Sequence, residues 1–326
     1  MNNQNSNIDN FIEQLSDIKN VLKPRIIGKE KKKVVPASFA KSFVTIVGIK
    51  KTTSRFLPVS HEGYSTETFI DKIDLLGLPR AEFIARKLKG MERRAHMTMF
   101  RELLKKEDGK KQWDEIFKNK FDVACYIPDL ICVTCWNCSL FGGLNNKEKH
   151  PKKGFGTFSR IRYFDTYSIE SAEQCVAMEG TEEGMGIGNV VYEDLSKERG
   201  SESYHQYEYV KAGTHFPFIT IIENATLLDV AGYIKTVKIA DQHGYGKYSA
   251  NHGKFDTNFF SISTGFPKFS ILDMLEWKID DFAKNIKDAG FETNVGESLS
   301  LYGSEILEIK NKLNDEFKKY WKSLNN

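Results

Sequence analysis

No apolar run in this 326-residue chain approaches the ~18 residues that a membrane-spanning helix requires. The opening segment MNNQNSNIDNFIEQL has neither the basic stretch nor the apolar core of a secretory signal. These absences make the cytoplasm the expected location, with no membrane partner. A phosphate-cradling glycine loop is missing too, because GMGIG at 184–188 lacks the Lys-Ser/Thr ending and the strand-to-helix setting of a nucleotide site. No Ser/His/Asp order for nucleophilic catalysis is readable. Asp122, Asp129 and Asp165 have no paired base or metal ligand beside them, so the chain reads as a non-enzyme. Cysteine is scarce outside one segment: of five, only Cys175 lies elsewhere, in a mixed apolar stretch typical of a buried thiol.

What is present starts with that segment, CYIPDLICVTCWNCSLFGG. Cys125, Cys132, Cys135 and Cys138 stand in a C-x6-C-x2-C-x2-C spacing, in which thiolates two residues apart can face one tetrahedral ion. A reducing compartment favours a metal over disulfides here, and zinc is the first reading. An iron–sulfur cluster and unliganded thiols remain alternatives, although the downstream Cys-Pro of cluster-binding ferredoxins is missing. Four sulfur ligands close the coordination sphere, so the expected zinc is structural and not catalytic.

With 40% hydrophobic and 28% charged residues the chain has room for one large domain or for a core with insertions. The net charge of +3 is small, but lysine and arginine crowd into 23–33, 50–55, 86–94, 105–111 and 147–162 while acids collect in 179–198, which points to a polyanion-facing side. Helical spacing of Ile8, Phe11, Ile12, Leu15, Ile18 and Leu22 predicts a helix over 8–22, followed by a basic connector to residue 38. A Val/Ile/Thr-rich strand follows within SFVTIVGIKKTTSRFLPV. Ser65 is a candidate cap for a helix over 66–76 stopped by Gly77 and Pro79, AEFIARKLK reads as a strand, and MERRAHMTMFRELLKK as a helix opened by Arg93 and Arg94. Further on come a β-rich run through SRIRYFDTYSIE, a projecting acidic hairpin at 176–206, long strands, a helix over 227–238 with Thr226 and Asp229 at capping-box spacing, and closing helices at 270–289 and 303–324. The expected fold is α+β, with a ferredoxin-like or RNA-recognition-type palm at 39–120 and 155–256. The cysteine segment 121–154 is inserted in it, and a strand with helices occupies 257–326.

The order K-K-T-T-S-R-F-L, S-T-E-T, R-K-L-K, M-E-R-R-A-H-M, C-x2-C-x2-C-S-L-F-G, S-R-I-R-Y-F-D, H-F-P-F-I-T and H-G-Y-G-K resembles one family. It is the backbone subunit of type I-D CRISPR surveillance complexes, a branch of the Cas-seven family, over residues 40–256. The resemblance implies a Cascade-like antiviral ribonucleoprotein in which copies of the subunit polymerise as a helical filament along a CRISPR RNA (crRNA). They present it to a target nucleic acid, beside other effector subunits. It implies sequence-blind backbone contacts. By position these fall on Lys50, Lys51 and Arg55, on Arg86, Lys87 and Lys89, on Arg93, Arg94 and His96 at a helix start, on Arg160, Arg162 and Tyr163, and on His243, Tyr245 and Lys247. The acidic hairpin becomes a thumb, whose Met185 and Ile187 would wedge into the guide.

Plainer readings stand beside these. A run such as Arg86, Lys87, Lys89 also suits a solvated face, and His96 and His215 suit satisfied core positions. Two other functions compete: a metal-dependent RNA-cleaving subunit of the same fold, using Asp122, Asp129 or Asp165, and a zinc-ribbon interaction protein unrelated to RNA.

Overall fold

The computed structural model describes residues 2–23, 25–27, 32–34, 42–59, 67–107, 125, 131–145, 155–179, 206–247, 249–289, 291 and 304–325. A four-stranded antiparallel sheet lies at its centre. Six elements generate it in chain order: β1 (Phe43–Thr52), α1 (Ala85–Lys106), β2 (Ile161–Tyr163), β3 (His215–Glu223), α2 (Leu227–His243) and β4 (Phe255–Thr264). The strands lie in the spatial order β4-β1-β3-β2, so the first strand is central. Its pairings run His215↔Lys51 to Glu223↔Phe43 on one side and Phe255↔Thr52 to Thr264↔Val44 on the other.

The period of two along β1 sorts its side chains. Val44 and Ile46 join Phe218 and Ile222 of β3 in the core under α1 and α2, with Met99, Phe100, Val230 and Ile234. Val47 and Ile49 point the other way and join Ile219 and Ile221 against Met274, Phe282 and Ile286 of the downstream helices. The sheet is therefore covered on both faces. Gly48 is required where it stands, because a Cβ there would lie 2.7 Å from the Phe218 ring and 2.3 Å from the Asn258 carbonyl.

Several expectations change. Of the helix expected over 66–76, the described residues 67–76 are not helical: Lys72–Leu75 pairs antiparallel with Leu78–Phe83 through Leu75↔Leu78. Leu76 and Gly77 both have positive φ (56° and 74°), the two-residue turn that suits strand twist, so Gly77 closes a hairpin and stops no helix. Ser65 lies outside the described residues. The strand read over AEFIARKLK ends at Phe83, and α1 begins at Ala85. The reason is the helical phase of Leu88, Glu92, Ala95, Met99 and Leu103, all buried, which begins earlier than Met91. Arg86, Lys87 and Lys89 thus sit on a helix, and Arg93, Arg94 and His96 lie well inside it.

The amino-terminal helix splits into Asn2–Glu13 and Ile18–Val21, the second capped by Asp17 accepting from the Lys19 N–H at 2.7 Å. The expected Thr226–Asp229 capping box is formed, and Ser270 caps its helix in a further box with Asp273. The helix begun at Thr226 runs on to His243 and ends at Gly244, where φ is 89°. The closing helices break into Ile271–Leu275, Phe282–Asp288, Ser304–Asn311 and Leu313–Asn325. Val176–Glu179 pairs antiparallel with Gln206–Val210 at the two ends of the expected thumb. Met185 and Ile187 between them lie outside the described residues. No helix among the described residues is long and apolar enough to cross a membrane.

Candidate nucleic-acid interface and cysteine cluster

The four cysteines converge. Their sulfurs all lie within 4.8 Å of one another and all four residues are buried. Cys125 Sγ is 3.4 Å from Cys138 Sγ, and Cys132 Sγ is 3.9 Å from the same atom. Backbone N–H groups of Cys132 and Cys138 donate to the sulfurs of Cys125 and Cys135, both at 3.4 Å. Four sulfurs about 2.3 Å from one tetrahedral ion stand about 3.8 Å apart, so the donor set fits a metal of that size. A disulfide would need the sulfurs at about 2.05 Å. Burial opposes ionisation of Cys132, yet the sulfurs of Cys125, Cys135 and Cys138 and the Thr134 side chain hold its thiol well below the ordinary range. Burial pushes Cys135 up instead, reinforced by the same neighbours. Between Cys132 and Cys135 the turn is tight enough to hold Val133 at φ 54°, a strained conformation for a β-branched residue.

The cluster belongs to the main core. The short helix Trp136–Phe141, with Cys135 as N-cap, packs between α1 and the helix Leu313–Asn325, where Trp136 meets His96, Phe100, Phe317 and Tyr320 with ring centroids 4.3–6.5 Å apart. Asp229 of the α2 capping box accepts from Trp136 Nε1 at 2.8 Å and from Arg160 Nη1 and Nη2 at 2.9 and 3.0 Å. Arg160 also donates to Ser139 Oγ and to the carbonyls of Glu223 and Asn224. Arg160 was expected on RNA; its guanidinium instead ties the cysteine helix to the start of α2, and only 6% of the residue is exposed.

Lys50, Tyr163, Tyr245 and His96 are corrected in the same way. Lys50 is in phase with Val44 and Ile46 on β1, so its side chain runs beneath the helices and is fully buried. There its Nζ lies 3.2 Å from Glu92 of α1 and 3.5 Å from Asp241 of α2, and donates to Tyr245 Oη and Thr257 Oγ1. Glu92 accepts from Tyr245 Oη at 3.1 Å and Tyr163 Oη at 2.7 Å. Burial raises the Asp241 carboxyl, with Lys50 opposing. Burial and the Glu92 charge hold both tyrosines neutral. His96 is fully buried beside Trp136, and burial drops its pKa to about 3. Lys50, Tyr245 and His96 are buried away from any phosphate, and Tyr163, which is partly exposed, has its hydroxyl engaged by Glu92.

The remaining basic residues divide between outside and half-buried positions. Lys51, Arg86, Lys87, Arg94, Arg162 and His243 are exposed. Arg162 pairs with Glu223 and, half-buried, Lys89 donates to Ser159 at 2.8 Å. Arg93 donates from Nε to Asn137 Oδ1 at 3.2 Å, and Arg55 stacks its guanidinium 4.8 Å from the Tyr209 ring centroid. The fold gathers Arg86, Lys87 and Arg94 from one side of α1 and Lys247 from the loop after α2 around a single cleft of about 310 Å³. Its other walls are Pro58 and Val59 after β1, Phe83 and Ile84 before α1, and Gly90, Met91 and Gly246. Arg86, Lys87 and Arg94 are all exposed, so the cleft is lined by cations that solvent reaches. Asp165 accepts from the Ala85 N–H at 2.6 Å and so caps the start of α1 close by. The cations of this cleft were readable one by one from the sequence. Its apolar walls were not, and a glycine in mid-helix was the only local signal for them.

No protein-family model matches the chain, and no curated protein does. Among solved structures it is similar to Thermofilum pendens Csc2, with a TM-score of 0.52 and 15% identity over 88% of this chain and 90% of that one. That likeness assigns the fold. Methanopyrus kandleri Csm3 is more distant, at a TM-score of 0.43 and 11% identity over 85% of this chain and 98% of that one. The mixed α+β architecture with antiparallel sheets is thus one already seen in a solved protein.

Proposed function

We propose that this chain is a guide-RNA-binding backbone subunit of a type I-D CRISPR surveillance complex, several copies of which assemble along one crRNA and present it for target pairing. One observation carries the reading: the cleft between β1, α1 and the loop after α2 gathers Arg86, Lys87, Arg94 and Lys247 on the fold shared with Csc2. The resemblance of residues 40–256 to type I-D backbone subunits points the same way. So does the strand–helix–strand–strand–helix–strand order with strands arranged 4-1-3-2, which is that of a ferredoxin-like palm. Flexible cationic side chains beside a helix start bind phosphates without reading bases, as a guide-holding subunit requires. The cysteine cluster holds structural zinc, and the subunit cuts nothing: Asp165, the one candidate nuclease aspartate among the described residues, is engaged at the α1 terminus.

The test is Arg86→Glu, Lys87→Glu and Arg94→Glu together. Each lost contact to single-stranded RNA lowers the salt slope by about 0.7, so the triple variant should lose roughly 2 from the slope of log K against log salt. It should also purify free of RNA. A triple variant that keeps the wild-type affinity and slope would refute the reading.

A further inference from the structure

Gly90 stands in the sixth position of α1, a 22-residue helix, where glycine costs about 1 kcal/mol relative to alanine. Packing does not ask for it: a Cβ built there meets nothing within 4 Å, whereas at Gly232 of α2 it would lie 2.5 Å from the Trp136 ring. Nor does its backbone need φ above zero. What the missing side chain does is leave room, because Gly90 lines the cleft between Lys87, Met91 and Arg94. The cleft is cationic and apolar together. Arg86, Lys87, Arg94 and Lys247 supply charge, while Val59, Ile84 and Met91 supply a wall with little hydrogen-bonding capacity. Phosphate alone needs only the charge. At about 310 Å³ the space lies at the small end of ligand clefts, which run from roughly 300 to 1,000 Å³, so it suits one flat group and no stack.

We propose that this cleft takes a single nucleotide of the bound RNA, its base entering over Gly90 against Ile84 and Met91 and its phosphates held by Arg86, Lys87 and Arg94. The inference rests on the RNA-binding reading and adds a base contact to it. The base is held by shape and apolar contact, without edge recognition, so the site accepts any base. The contact is of the kind by which single-stranded nucleic acid is gripped irrespective of sequence.

The test fills the cleft and leaves the charge alone. Gly90→Leu places a branched side chain in the open space while improving helix propensity, so the variant should fold, and a thermal melt checks that it does. Labelled single-stranded oligouridine should bind Gly90→Leu about tenfold more weakly than wild type, the order expected for one lost base contact, with an unchanged salt slope. An abasic sugar-phosphate oligomer should bind both proteins equally. Gly90→Ala, a smaller intrusion, should fall between. Wild-type protein that binds oligouridine, with Gly90→Leu indistinguishable from it, would overturn this inference alone. Wild-type protein that binds no RNA would overturn the RNA reading and this inference with it. Uridine monophosphate binding as tightly as the oligomer would assign the cleft to a free nucleotide and overturn the RNA source.

Discussion

Replacing Arg160 by Met should destabilise the protein without touching RNA binding. The arginine is buried and its bidentate pair with Asp229 is made at 2.9 and 3.0 Å. Breaking a buried pair by removing one partner costs about 3–5 kcal/mol, because a charge is left behind without compensation. Here Asp229 keeps three donors, the Thr226 N–H and Oγ1 at 3.0 and 2.9 Å and Trp136 Nε1 at 2.8 Å, which places the expected loss near the lower end, about 3 kcal/mol. Single domains have only about 5–15 kcal/mol in all, so the urea midpoint should fall well below that of wild type at unchanged slope. Asp229→Asn in the same chain removes the orphaned charge and should restore about half of the loss. The reasoning fails if Arg160→Met costs less than about 1 kcal/mol, or if it weakens RNA binding at unchanged stability.

Lys50→Met should unfold or severely destabilise the protein, by about 3 kcal/mol or more, since it leaves Glu92 and Asp241 buried together without a cation; a melt within a few degrees of wild type would count against that. Stripping the cysteine cluster with a chelator should lower the thermal midpoint sharply and expose the aromatic cluster at Trp136, and a melt indifferent to chelator and to Cys135→Ser would refute the metal. His96 gives a pH signature. Above pH 6.5 neither state binds a proton there; below it the unfolded chain takes one up that the folded protein refuses until about pH 3, so stability falls by up to about 1.4 kcal/mol per pH unit in that window. His96→Gln should flatten the acid limb by that amount in urea melts at pH 6.5 and 5.0, and parallel limbs would refute the assignment.

What the sequence disclosed depended on how local each signal was. The cysteine spacing, the Thr226–Asp229 capping box and the Ser270 cap are complete within a few residues, and all of them formed. Charge runs marked the cationic cleft at Arg86, Lys87 and Arg94 but not which members face outward, because facing is a matter of phase. Lys50 shares the even-numbered side of β1 with Val44 and Ile46, and that alternation already placed it inside. Arg160 had no such cue: its partner Asp229 is 69 residues away and meets it only once β2 and α2 are in place. Residues 66–76 read as a helix because Gly77 stops a helix and a strand alike, and only the positive φ at Leu76 and Gly77 tells the two apart.

The helix Leu313–Asn325 lays Phe317, Tyr320 and Trp321 over Trp136 and the cysteine cluster. Its consequence is one of timing. During synthesis the cysteines emerge long before the residues that cover them, so the nascent chain holds an uncovered aromatic face throughout that interval. A chain arrested before Leu313 would keep the cations of the cleft along α1 and lose its aromatic cover. It would therefore be prone to aggregation.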